Sequence, residues 1–93
     1  MRLVLHRRIR SDVDEIMDYY ERAEHPELAD DFYRELRQFL VRAARQPFRN
    51  HPYKGDLRRA NLKRFLYRVL ADQVRILVVR HHRRDPDYGL ERE

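Results

Sequence analysis

The sequence predicts one α+β domain over residues 1–93, a helical hairpin packed on a small antiparallel sheet in the order β-α-α-β-β-β. Three observations predict it. The first half places apolar residues at the 3.6-residue period of amphipathic helices. The second half changes to the two-residue alternation of strands. The chain has 93 residues, enough for one core and too few for two. Two helices with apolar faces must bury them against something, and a sheet is the available surface.

Each element follows from local sequence. Residues 3–6 are β-prone and predict a short first strand. Val13, Ile16, Met17 and Tyr20 form one helical face, and Ser11 is the expected N-cap of a helix over 11–24. Asp12, Asp14 and Glu15 then fall in the first turn, where the helix dipole favours acids. His25-Pro26 breaks this helix and starts another, because proline suits the first helical position. Leu28, Ala29, Phe32, Leu36, Phe39, Leu40 and Ala43 mark its face, and Gln46-Pro47 ends it. Residues 47–57, with two prolines and a glycine, are expected to be a loop. Alternation over 59–63 and 64–69 predicts two strands. The run from Val74 to Arg80 predicts an inner strand, reached through a tight reversal at Ala71-Asp72-Gln73.

Composition narrows the function. The absence of cysteine excludes disulfides, thiolate metal sites and a cysteine nucleophile. A cytoplasmic location is the expectation: the opening residues carry only three apolar positions before charge returns, unlike a secretory leader, and no stretch approaches the ~20 apolar residues of a membrane span. Net charge is +5 but uneven. Residues 11–35 carry ten acids and two arginines, and residues 36–84 carry fourteen bases and two acids. Such a two-sided molecule suits nucleic acid or an acidic protein as a partner. The five histidines show no metal-ligand spacing, and two glycines cannot make a phosphate-cradling loop, so no metal, cofactor or small-molecule substrate is expected.

The element order, together with local motifs, resembles the RelE/ParE toxin superfamily over nearly the whole chain. Asp14-Glu15-Ile16 with Tyr19-Tyr20 is similar to a stripe of the family's first helix, and Phe32 with Leu36 to one in the second. Arg58-Arg59, Leu62 and Phe65-Leu66-Tyr67-Arg68-Val69 resemble the family's strand motif. The most specific piece is Val78-Val79-Arg80-His81-His82-Arg83-Arg84-Asp85-Pro86. Leu66 replaces a common proline, and Gly89 stands where ParE-like members often carry tryptophan. The resemblance implies a bacterial toxin neutralised by a cognate antitoxin. It implies either of two targets: DNA gyrase, trapped on cleaved DNA by ParE-like toxins, or the ribosome and its messenger RNA, cut by RelE-like endonucleases. A degenerate, non-toxic binding module is a third reading, which Gly89 favours.

Whether the chain is an enzyme depends on that choice. If it cuts RNA, Arg84 holds phosphate, His81 moves a proton, and Tyr88 stacks on a base or donates a proton. In either case Arg80, His82, Arg83, Arg84, Tyr88, Lys63 and Arg64 are the expected target-binding residues, with Lys54 as a further groove cation. Along a strand His81 and Arg83 share one face and His82 and Arg84 the other, so all four meet only if the strand ends first. Structural alternatives compete. Asp85 can pair with a neighbouring arginine in a plain turn, Tyr88 can pack the end of the chain onto the sheet, and Tyr19, Tyr20, Phe32 and Phe39 are expected in the core.

Overall fold

A computed structural model of the chain describes residues 1–61, 64–81 and 84–93. Seven elements run in the order β1 (Arg2–Leu5), α1 (Ile9–Arg22), α2 (Pro26–Arg45), β2 (Pro52–Lys54), β3 (Leu57–Ala60), β4 (Phe65–Val69) and β5 (Gln73–Val79). They form an α+β fold with the two helices on one five-stranded sheet of order β1-β5-β4-β3-β2. The meander β3-β4-β5 is antiparallel as expected. β1 joins it beside β5 in parallel, with Leu3 opposite Val74 and Leu5 opposite Ile76. Parallel neighbours need a long crossover, which everything between β1 and β5 supplies.

Helix α2 keeps the boundaries its prolines predict. Helix α1 starts two residues before Ser11, which is exposed and lies inside the helix, not at its cap. The N-cap is Arg8, with no capping side chain. The early start has a reason in packing: Ile9 is buried in the core, and its N–H closes a turn onto the His6 carbonyl at 3.0 Å. At the other end Glu24 takes a left-handed φ of 58°. His25 N–H then reaches Tyr20 O at 3.0 Å and Glu24 N–H reaches Glu21 O at 3.1 Å. This is a Schellman closure with glutamate where glycine is usual.

The segment 47–57 is not all loop. Pro52–Lys54 forms an edge strand, and Gly55, at φ +60°, turns it into β3. Proline is tolerated there because an edge strand can leave one side undonated. β3 stops at Ala60, short of the predicted 63, because Asn61 turns the chain at φ 53°. Leu62 and Lys63 lie outside the described residues.

The sheet buries both faces. Against the helices lie Phe65, Tyr67, Val74, Ile76 and Val79, meeting Ile16, Tyr20, Phe32, Leu36 and Phe39. Phe39 stacks on Phe65 at 4.4 Å between centroids. The Tyr67 hydroxyl donates to Pro47 O at 2.9 Å, so its polar tip is satisfied inside the core. On the opposite face Leu57, Leu66, Leu77 and Val78 pack under Tyr53, Tyr88 and Leu90. A register shift opposite Leu66 and Tyr67 leaves Leu77 unpaired in the ladder. It resets the alternation, so Val79 joins Val74 and Ile76 on the helix side.

Candidate functional site

The site is built around a carboxylate. Asp12, Ile16 and Tyr20 are the buried stripe of α1, four residues apart, which places an acid in an apolar row. Asp12 is 2 % exposed. A charge so buried requires partners, and four donors supply them. Asp12 Oδ2 accepts Val79 N–H at 3.1 Å and Arg92 Nη1 at 2.7 Å. Oδ1 accepts the Tyr88 hydroxyl at 2.8 Å and Arg92 Nη2 at 3.1 Å. Arg92 also donates to Leu77 O at 3.0 Å and to the Tyr88 oxygen at 2.9 Å. Its hydrogen bonds to Asp12 raise the guanidinium pKa above its ordinary value, outweighing the opposing effect of burial. The first turn of α1 is therefore tied to the last residues of the chain.

Beside this lock lies a cleft of about 230 Å³ walled by Glu15, Tyr19, Val79, His81, Arg84 and Tyr88. Arg84 Nη2 pairs with Glu15 Oε2 at 2.9 Å. Its guanidinium also lies 4.2 Å over the Tyr88 ring, whose other neighbour is the Arg92 guanidinium at 5.0 Å. The His81 ring rests on Tyr19 at 4.7 Å and on Tyr20 at 5.7 Å. Tyr19 is 42 % exposed, so it is a cleft wall and not a core residue, unlike Tyr20, Phe32 and Phe39.

A family model for the ParE toxin of type II toxin–antitoxin systems, parDE, matches residues 3–86. The chain belongs to the ParE toxin family. No curated protein matches it significantly. The match begins within β1, covers every later element and ends at residue 86, before Tyr88 and Arg92, so two of the lock's three side chains lie outside it. As a ParE-family toxin the protein implies an antitoxin partner.

The expected site residues of this ParE-family chain fall into three groups. Arg80, His81, Arg84 and Tyr88 come together around the cleft. They can do so because β5 ends at Val79, which releases them from strand alternation. Arg80 is buried and donates to Pro86 O at 2.6 Å and Tyr88 O at 3.3 Å, drawing the following segment back over the sheet. Arg64 pairs with Glu35 and lies 5.7 Å from the Phe32 ring centroid, turned to α2. Lys54 is exposed on β2, away from the cleft. Lys63, His82 and Arg83 lie outside the described residues. Asp85 pairs with no arginine among the described residues: its Oδ1 accepts the Asp87 N–H at 2.9 Å, and the turn closes within its own backbone.

Sequence reasoning read Asp12 and Glu15 as first-turn acids, with Glu15 in the family's helix stripe, gave neither a place in the site, and passed over Arg92. Asp12 had a readable sign, since it sits four residues before Ile16 on the apolar stripe. Gly89 also gains an explanation. At φ +82° it backs onto Val78, and an added Cβ would lie 2.4 Å from Val78 Cγ2. Glycine here is demanded by close packing and by its left-handed backbone.

Proposed function

We propose that the protein is a ParE-like inhibitor of DNA gyrase, acting in the cytoplasm and silenced by a cognate antitoxin. The observation that carries this reading is the engagement of the side chains a nuclease would need. Arg84 is held by Glu15, and the Tyr88 hydroxyl is spent on Asp12 within the Arg92 lock. RNA cleavage needs a cation for the phosphorane charge and a mobile proton for the leaving oxygen. Here Arg84 and Tyr88 serve the fold, which leaves His81 as the one proton carrier of the three in the cleft, without the cation and the hydroxyl beside it. The cleft then acts as a shaped, aromatic and basic docking surface, with His81, Arg84 and Tyr88 as contacts.

The antitoxin reading rests on a second surface. A groove of about 930 Å³ runs along α2, with Tyr33, Val41 and Met17 among Arg34, Arg37 and Arg45. Apolar anchors ringed by arginine suit an amphipathic segment with acidic residues. One specific observation favours the ribosomal endonuclease instead: His81, Arg84 and Tyr88 do share one cleft.

Supercoiling of relaxed plasmid by purified gyrase tests the proposal. Inhibition with accumulation of linear, cleaved DNA is the expected result. Unimpaired supercoiling at a large excess of folded protein, with messenger RNA cut on ribosomes and cutting abolished by Arg84→Ala, overturns it.

A further inference from the structure

We propose that the corner where β1 runs into α1 is a binding site for nucleotide phosphate groups, formed by Arg7, Arg8 and Arg75 around His6. This inference goes beyond the gyrase reading and does not depend on it. The corner is a cavity of about 540 Å³ whose walls include Leu5, His6, Arg7, Arg8, Arg75 and Arg92. That volume suits a small ligand such as a nucleotide.

Four features point to an anion. First, no side-chain carboxylate pairs with Arg7, Arg8 or Arg75 among the described residues. Arg75 Nη1 meets only the main-chain oxygen of Glu93, at 2.8 Å. Second, Arg75 walls this cavity half-buried, and of its guanidinium nitrogens only Nη1 has an acceptor among the described residues. Third, the corner holds the positive end of a 14-residue helix, and its N-cap Arg8 provides no capping side chain. His6 Nδ1 instead accepts the Arg8 N–H at 3.1 Å. Fourth, burial lowers the His6 pKa, and Arg92, Arg7 and Arg8 lower it further against the opposing pull of Asp12, so the positive charge of the corner reaches the imidazole.

Guanidinium groups offer paired N–H donors that match phosphoryl oxygens. Leu5, 51 % exposed, leaves an apolar shelf beside them for a sugar or base. Glu91 and Glu93 also border the cavity. A phosphate therefore competes with the chain's own Glu93 oxygen for Arg75. The two sources of such a group are a free nucleotide and the backbone of a nucleic-acid strand.

The test follows the His6 imidazole by proton NMR in the full-length protein at low salt. Inorganic phosphate, adenosine monophosphate and a short single-stranded oligonucleotide are titrated separately. Saturation by a phosphate ligand should raise the His6 pKa, because bound negative charge offsets Arg7, Arg8 and Arg92. A shift with the monophosphate supports the site and assigns a free nucleotide as sufficient. A shift with the oligonucleotide alone supports it and assigns the strand backbone. Arg8→Ala combined with Arg75→Gln should weaken binding about tenfold or more with the fold intact by amide spectrum. Exposed Arg7→Ala should weaken it severalfold, and Arg34→Ala in the α2 groove should change it less than twofold. The proposal is overturned if no ligand moves His6, or if Arg7→Ala and the double variant bind as well as the parent.

Discussion

The two faces of the sheet are both covered, but by different physics. The helix side is closed by many apolar side chains from two helices, with Phe39 on Phe65 at its centre. The opposite side is closed by a short C-terminal segment bearing only Tyr88 and Leu90, with Tyr53 from β2. So few apolar groups cannot hold a segment by burial alone. Polar links make up the difference, from Arg80 to the carbonyls of Pro86 and Tyr88 and from Arg92 and Tyr88 to Asp12. Apolar packing spreads stability over many contacts, whereas a polar lock concentrates it in a few atoms. Damage should therefore be graded on the first face and abrupt on the second.

The largest expected effect is at the lock. Asp12→Ala leaves the Arg92 guanidinium buried without its counter-charge and should cost roughly 3–5 kcal/mol, read by denaturant unfolding. A loss below about 1 kcal/mol would mean that water replaces the carboxylate and that the concentration argument is wrong. Gly89→Ala comes next. A left-handed φ costs a residue with a Cβ about 1–2 kcal/mol, and collision with Val78 adds overpacking of about 1–3 kcal/mol. If the melting temperature is unchanged, the segment does not lie against β5 as described.

Tyr88→Phe is a finer probe. It removes one donor from Asp12 and should cost about 1–2 kcal/mol. Hydrogen exchange should accelerate in residues 84–93 while α1 and α2 stay protected, which would separate the two faces directly. Uniform acceleration would show that they unfold as one unit. The smallest effect is a gain away from both faces. Glu24→Gly should stabilise the protein by about 0.5–1 kcal/mol, because glycine holds the left-handed turn without strain. Destabilisation in a thermal melt would count against the Schellman closure of α1.

These regions also differ in how readable they were. The helix side was legible because its signals are local: apolar spacing in α1 and α2, and prolines at both ends of α2. The lock was not, although Tyr88 was recognised as a residue that can pack the chain end onto the sheet. Asp12 and Arg92 are 80 positions apart, and each alone looks like an ordinary charge near a helix start or a chain end. The cleft stood between these cases. His81, Arg84 and Tyr88 were singled out from a motif, but their convergence depends on where β5 stops. Edge strand β2 escaped because Pro52 and Gly55 are loop residues wherever no neighbouring strand is available, and β3 supplies that neighbour.

By itself the sequence determined the fold class, both helices, the antiparallel meander, the two-sided charge and the resemblance to the RelE/ParE toxins. All of these depend on periodicity, composition or short motifs, which act over a few residues. Only the tertiary structure decided that β1 pairs in parallel with β5, that Asp12 is a buried anchor, that Tyr19 forms a wall of the cleft, and that Arg84 and Tyr88 are engaged within the molecule. Each of these is a choice of partner between distant residues. The free energy of such a choice depends on what else is buried beside it, and no local pattern carries that information.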